Sequence, residues 1–151
     1  MFNTGGINMK IAVASDHGGF TLKEQVKAHL IERNLEVLDL GTHSEESVDY
    51  PAYGKACGEA VVNGEADLGI IVCGTGIGIS IACNKVKGVR CGLCTSVEMA
   101  HLTKQHNNAN VLALGGRTTA PELAMAIVDE WLDTEFEGGR HQRRVDMLDE
   151  M

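Results

Sequence analysis

At 151 residues, with 18 glycines, 2 prolines and 44% hydrophobic residues, the chain is sized for one domain with one core. Its glycine-rich, proline-poor composition suits an α/β fold rather than disorder. The net charge of −8 argues against nonspecific nucleic-acid binding, which needs clustered Lys and Arg, but leaves room for a small anionic ligand.

Residues 1–8 read as a soft leader, either an alternative start or an added remnant, before Met9-Lys10; residues 9–151 read as one domain. Residues 10–15 (KIAVAS) form an apolar run ending in a turn, which predicts a buried strand. Residues 20–34 place Phe20, Leu22, Val26, Leu30 and Ile31 at helical spacing. Residues 35–40 (LEVLDL) alternate as a second strand. Asp49-Tyr50-Pro51 opens a helix to about residue 63, with Pro suited to the first turn. Residues 68–73 (LGIIVC) are the most apolar strand and so the expected centre of the sheet. The loop Gly74-Thr75-Gly76-Ile77-Gly78 and a helix to about residue 86 follow. Residues 90–93 and 110–114 are a fourth and a fifth strand, around a helix at 96–105. Residues 121–132 are helical, and a polar tail from about Gly138 ends in another helix.

Strand and helix alternate five times. The expected fold is therefore a single-domain, doubly wound α/β structure, Rossmann-like, with a five-stranded parallel sheet and helices on both faces. Ligands of such sheets bind at the carboxyl ends of the strands. Asp16-His17 after the first strand, Cys73 with its loop after the third and Gly115-Gly116-Arg117 after the fifth should share one rim.

Cys73-Gly74-Thr75-Gly76-Ile77-Gly78 is the sharpest feature. Its glycines bring backbone N–H groups close to a ligand where a helix begins. Helix N-termini attract anions and favour thiolates, so one loop could supply a base and an oxyanion site. A structural turn around a buried Cys is the alternative. The spacing is neither the dinucleotide G-x-G-x-x-G nor a phosphate loop ending in Gly-Lys-Ser/Thr.

Asp16 reads either as a helix cap or as a holder of hydroxyls, and His17 as a phosphate contact or proton relay. His106 and Asn107 end a helix, where His commonly just complements the dipole. Arg140 and Arg144 are four apart and could converge on one phosphate, or belong to a solvated basic helix. Cys91 and Cys94 form C-x-x-C across a strand, where odd spacing turns them to opposite faces. Cys57 and Cys83 read as core residues on helices. Five cysteines without framework spacing suggest reduced thiols. No His/Asp/Glu cluster has metal-ligand spacing. No apolar run nears the roughly 20 residues that span a bilayer, and no segment has signal-peptide order. The expectation is a cytoplasmic protein with neither nucleic acid nor membrane as partner.

Asp16-His17-Gly18-Gly19, Asp49-Tyr50-Pro51, the Cys73 loop, Gln105-His106-Asn107 and Gly138-Gly139-Arg140-His141-Gln142-x-Arg144 together resemble the type B ribose-5-phosphate isomerases and the related galactose-6-phosphate isomerase subunits. The resemblance runs from Met9 to about Leu148. It implies a metal- and cofactor-free aldose–ketose isomerase of ribose 5-phosphate and ribulose 5-phosphate, acting in the pentose phosphate pathway. Cys73 resembles the enediol-forming base. Some members use a Glu a few positions later, where this chain has Ile77. Thr75 and the N–H groups of Gly74, Gly76, Ile77 and Gly78 resemble the enediolate site, and His106 the acid that opens the furanose. Asp16 and Asn107 would hold hydroxyls, and Tyr50 would line the sugar pocket. His17, Arg117, Arg140 and Arg144 would contact phosphate and substrate. A homodimer or tetramer with sites shared between subunits is implied. The competing expectations are a hexose 6-phosphate isomerase, a non-catalytic phosphosugar- or nucleotide-binding module, and a thiol redox protein using Cys91 and Cys94.

Overall fold

A computed structural model describes residues 9–151; the suggested leader lies outside the described residues. Five strands, β1 (Lys10–Ser15), β2 (Glu36–Asp39), β3 (Leu68–Cys73), β4 (Cys91–Leu93) and β5 (Val111–Gly115), form one parallel sheet in the order β2-β1-β3-β5-β4. β3 is the middle strand, as its apolar sequence predicts. The described residues also hold six α-helices: α1 (Phe20–Glu32), α2 (Tyr50–Val62), α3 (Ile77–Asn84), α4 (Val97–Gln105), α5 (Pro121–Asp133) and α6 (Arg140–Asp149).

Strand residues alternate between the sheet's two faces, which divides the core in two. Ile11, Val13, Ile70, Val72, Leu112 and Leu114 pack with buried residues of α1, α4 and α5, Trp131 among them. Ala12, Ala14, Ile71, Cys73, Val111 and Ala113 face α2 and α3. Small residues on that second face let α2 lie close: a methyl on Gly69 would stand 2.5 Å from Cys57 Sγ. Cys91 packs on this face and Cys94 in the opposite core, as their spacing requires. All five thiols are free.

Element ends move by a residue or two for local reasons. α3 stops at Asn84, short of the expected residue 86. The Asn84 side chain instead accepts from Cys91 N–H at 2.8 Å and donates to its carbonyl at 3.1 Å, acting as a substitute neighbour for edge strand β4. β2 begins at Glu36, because Asn34 turns the chain with φ 64°. α6 starts at Arg140, after Gly138 and Gly139 at φ 73° and 55°, the left-handed region glycine tolerates. Among the described residues no helix is long and apolar enough to cross a membrane.

Candidate active site

Parallel strands end together, and β1, β3 and β5 are adjacent. Their register pairs Ser15 with Val72 and Cys73 with Gly115. The residues after each strand therefore meet at one carboxyl-end rim, as expected. Asp16 N–H donates to Val72 carbonyl at 3.3 Å, Gly116 N–H to Cys73 carbonyl at 2.8 Å and Arg117 N–H to Gly74 carbonyl at 2.8 Å. The Arg117 guanidinium lies against the bare backbones of Gly18 and Gly74: a methyl on either would come within 3.3 Å of it.

Cys73 is buried, with 5% of its surface exposed. Gly76 N–H donates to its Sγ at 3.2 Å, and Ile77 N–H donates to Thr75 Oγ1 at 3.2 Å. Gly76, at φ 80°, turns the chain into α3, whose opening N–H groups have no intrahelical acceptor. Thr75 and Ile77 are exposed on the loop. The Tyr50 ring lies on Gly78, where a methyl would be 2.6 Å from the ring.

Asp16 is buried and caps the 3-10 turn His17–Gly19, accepting from Gly19 N–H at 3.1 Å. Capping is thus real, and it uses one carboxylate oxygen. Sequence reasoning did not find the partner of His17: Val48 N–H donates to its Nδ1 at 3.2 Å. An N–H can only donate, so Nδ1 must be the acceptor and a neutral His17 carries its proton on Nε2.

The remaining candidates gather elsewhere. α4 runs from the carboxyl end of β4 back toward the start of β5, so its last turn lies at the amino-end rim. Strands rise about 3.3 Å per residue, so the 5 residues of β5 separate the rims by roughly 16 Å. His106 caps the end of α4, and its ring stacks on His141 of α6 with centroids 4.2 Å apart and 13° between planes. Glu137 N–H donates to Gln105 carbonyl at 3.0 Å, tying the approach to α6 to the end of α4. Arg140 and Arg144 are exposed on α6 and Asn107 is exposed beside His106. A cavity of about 560 Å³ opens on this rim, lined by Asn107, Arg90, Lys85, Lys87 and Met151 among others. The sequence-selected residues thus form two groups on opposite rims of one chain, Asp16, His17, Tyr50, the Cys73 loop and Arg117 on one, His106, Asn107, Arg140 and Arg144 on the other.

His106, Glu137 and His141 have potential ligand atoms within 4.8 Å of one another, a cluster that linear spacing did not show. The i,i+4 pair Glu137 and His141 was the signal available. Glu137 Oε1 stands 3.1 Å from His141 Nε2, but off the angle of a hydrogen bond. Near-parallel stacked rings set their nitrogen lone pairs side by side rather than converging. The trio could hold a metal ion only after the rings splay.

Both rims carry motifs within the stretch that matches a known family: the sequence profile of the ribose/galactose isomerases fits residues 11–148. The chain belongs to that family. Ribose-5-phosphate isomerase B of Escherichia coli (strain K12) is 52% identical over 139 residues, spanning 92% of this chain and 93% of that protein. The structure of Clostridium thermocellum ribose-5-phosphate isomerase B superposes with a TM-score of 0.93 at 54% identity, covering 94% of this chain and 96% of that one. Ribose-5-phosphate isomerase B from Mycoplasma genitalium, crystallised with bound ribulose-5-phosphate, superposes with a TM-score of 0.90 at 43% identity, covering 95% and 96%. As a ribose/galactose isomerase, the chain shares its single-domain Rossmann-like fold with these proteins.

Proposed function

We propose that this chain interconverts D-ribose 5-phosphate and D-ribulose 5-phosphate through a cis-enediolate, with Cys73 as base. The carrying observation is the placement of a thiol at the head of a glycine loop that opens α3, with Gly76 N–H on its sulfur. Cys73 takes the proton from C2 of the aldose and returns it to C1. The charge that develops on oxygen meets Thr75 and the N–H groups of the loop and first helical turn, which are fixed in advance. Ile77 stands where a loop carboxylate would otherwise serve. Asp16 offers its second carboxylate oxygen to a hydroxyl, Tyr50 walls the sugar, and His17 and Arg117 meet the substrate from the same rim. This proton transfer needs no metal or organic cofactor, and the product belongs to pentose phosphate metabolism.

His106 is assigned the proton donation that opens the furanose, Asn107 a sugar hydroxyl, and Arg140 and Arg144 the phosphate. The distance between rims supports a site built from two copies, in which one chain's Cys73 rim receives the amino rim of its neighbour. Remote phosphate binding then positions the reacting carbons. The protein is accordingly a homodimer or a tetramer of such pairs.

The test is an isomerase assay on ribose 5-phosphate with a chelator present. Wild type turns over, and Cys73→Ala loses several orders of magnitude in kcat while largely sparing binding. Near-normal turnover by Cys73→Ala removes the assignment.

A further inference from the structure

Arg90 stands just before β4 and is one of the points where the turn after α4 is joined to α6. Its Nε donates to Asn108 carbonyl at 3.1 Å, and its Nη1 donates to Asp149 Oδ1 at 2.8 Å. Its own N–H is held by Asn110 Oδ1 at 2.7 Å, and its carbonyl accepts from Asn110 and Val111. One side chain, 16% exposed, thus grips the turn just past His106 and Asn107 with one nitrogen and the last turn of α6 with another.

The grip is needed at both ends. Asn108 adopts φ 47°, a left-handed conformation that only a few residue types tolerate, and Arg90 bonds the carbonyl of that residue. α6 is mostly exposed and buries only His141 and Val145. At its start it is held by the His141–His106 stack and at its end by Asp149. Without the second hold the helix could pivot about the stack and swing Arg140 and Arg144 relative to His106. Arginine suits the task because its planar fork binds two acceptors in fixed geometry, which a lysine cannot do.

We infer that Arg90 is a positioning residue that registers Arg140 and Arg144 of α6 with His106 and Asn107, through paired bonds to Asn108 and Asp149. It acts in this role through those two bonds. The inference rests on the assignment of Arg140 and Arg144 to phosphate.

The experiment measures kcat and KM for ribose 5-phosphate, and competitive inhibition by inorganic phosphate, in Asp149→Asn, Arg90→Lys, Arg90→Met and the Arg90→Met/Asp149→Asn double variant. Asp149 lies at the partly exposed end of α6, so its conservative change leaves the core intact. KM and the phosphate inhibition constant should rise together by roughly tenfold in Asp149→Asn, the scale of one charge-assisted hydrogen bond, with kcat within about twofold. Arg90→Lys should not rescue the loss. The double variant should be no worse than Arg90→Met, since both changes break one link. Unchanged phosphate inhibition, or kcat falling in step with thermal stability, overturns the inference. Arg140→Ala separates the two ideas. If it weakens phosphate inhibition while the Arg90 and Asp149 variants do not, only the positioning role falls. If Arg140→Ala has no effect, the phosphate assignment falls and the inference with it.

Discussion

The imidazoles of His106 and His141 stack with centroids 4.2 Å apart and 13° between their planes. The contact joins the end of α4 to the start of α6 and limits how the His106 ring can turn. If that orientation serves ring opening, His141→Phe should keep most activity by keeping the stack, whereas His141→Ala should lose roughly tenfold on the ring-closed sugar, the scale of a misoriented acid. An open-chain substrate analogue should be affected less. Equal losses for Phe and Ala would show that the flat surface is not what matters.

The proposed assembly of the site from two rims makes a prediction about mixtures. Cys73→Ala spoils one rim and His106→Asn the other. Refolded together, the two inactive variants should recover activity, to about a quarter of wild type for randomly assorted dimers, since half of the dimers carry one intact site of two. Steady-state rates before and after co-refolding are the measurement. A mixture as inactive as its components would place both residues in a site within one chain.

Lys23 is a lysine with 0% of its surface exposed, bonded to Asp39 at 2.9 and 3.1 Å and to Thr42 carbonyl at 2.8 Å. Asp39 in turn accepts from Gly41 N–H, and Gly41 and Thr42 pair with Ser15, next to Asp16. Burial opposes ionisation of Asp39, but Gly41 N–H, Lys23 and Lys27 outweigh it and hold the carboxyl below its ordinary 3.8. A depressed acid contributes stability above its unfolded value that is lost as pH falls through the folded one. Asp39→Asn leaves the buried Lys23 ammonium with only the half-exposed Glu24 carboxylate, at 2.9 Å, as counter-charge. It should cost about 2–3 kcal/mol at neutral pH, more than Lys23→Met, which leaves Asp39 with Lys27 at 3.0 Å. The difference should shrink below the ordinary carboxylate range. Urea unfolding at several pH values measures it.

Lys104 predicts a rise of stability with pH in a separate, alkaline window. Burial pushes its ammonium down to about 8 from 10.5, against the pull of Asp133, while its Nζ donates to Trp131 carbonyl at 2.7 Å. Between these two values the unfolded chain holds a proton that the folded chain has released, so stability rises with pH there. Relative to Lys104→Met, the wild type should gain up to about 3 kcal/mol from pH 8 to 10.5, by unfolding midpoints at fixed ionic strength. A flat difference between the two proteins would show that the lysine keeps its charge.

The five strands, the central place of β3 and the carboxyl rim are legible in the sequence because each rests on runs of adjacent residues. Apolar runs end at Ser15, Cys73 and Gly115, the turns follow directly, and parallel register does the rest. What linear spacing hides are contacts between distant segments. Val48 reaches His17 through a backbone amide, which no side-chain pattern reports. Glu137 joins His106 because its N–H bonds the Gln105 carbonyl. Arg90 looks like the first residue of a strand and proves to be a two-way tie. Asp16, by contrast, leaves both of its possible roles open in the sequence. The fold makes one of its oxygens a cap and leaves the other available.

The length of β5 carries one last consequence. On the shared-site reading proposed above, a chain that keeps its thiol and its imidazole on opposite rims is, when alone, a folded protein with two unfinished halves. On that reading catalytic power belongs to an encounter between chains rather than to a chain. Specific activity should fall on dilution even though every molecule remains folded, and circular dichroism should stay constant while the rate per subunit declines.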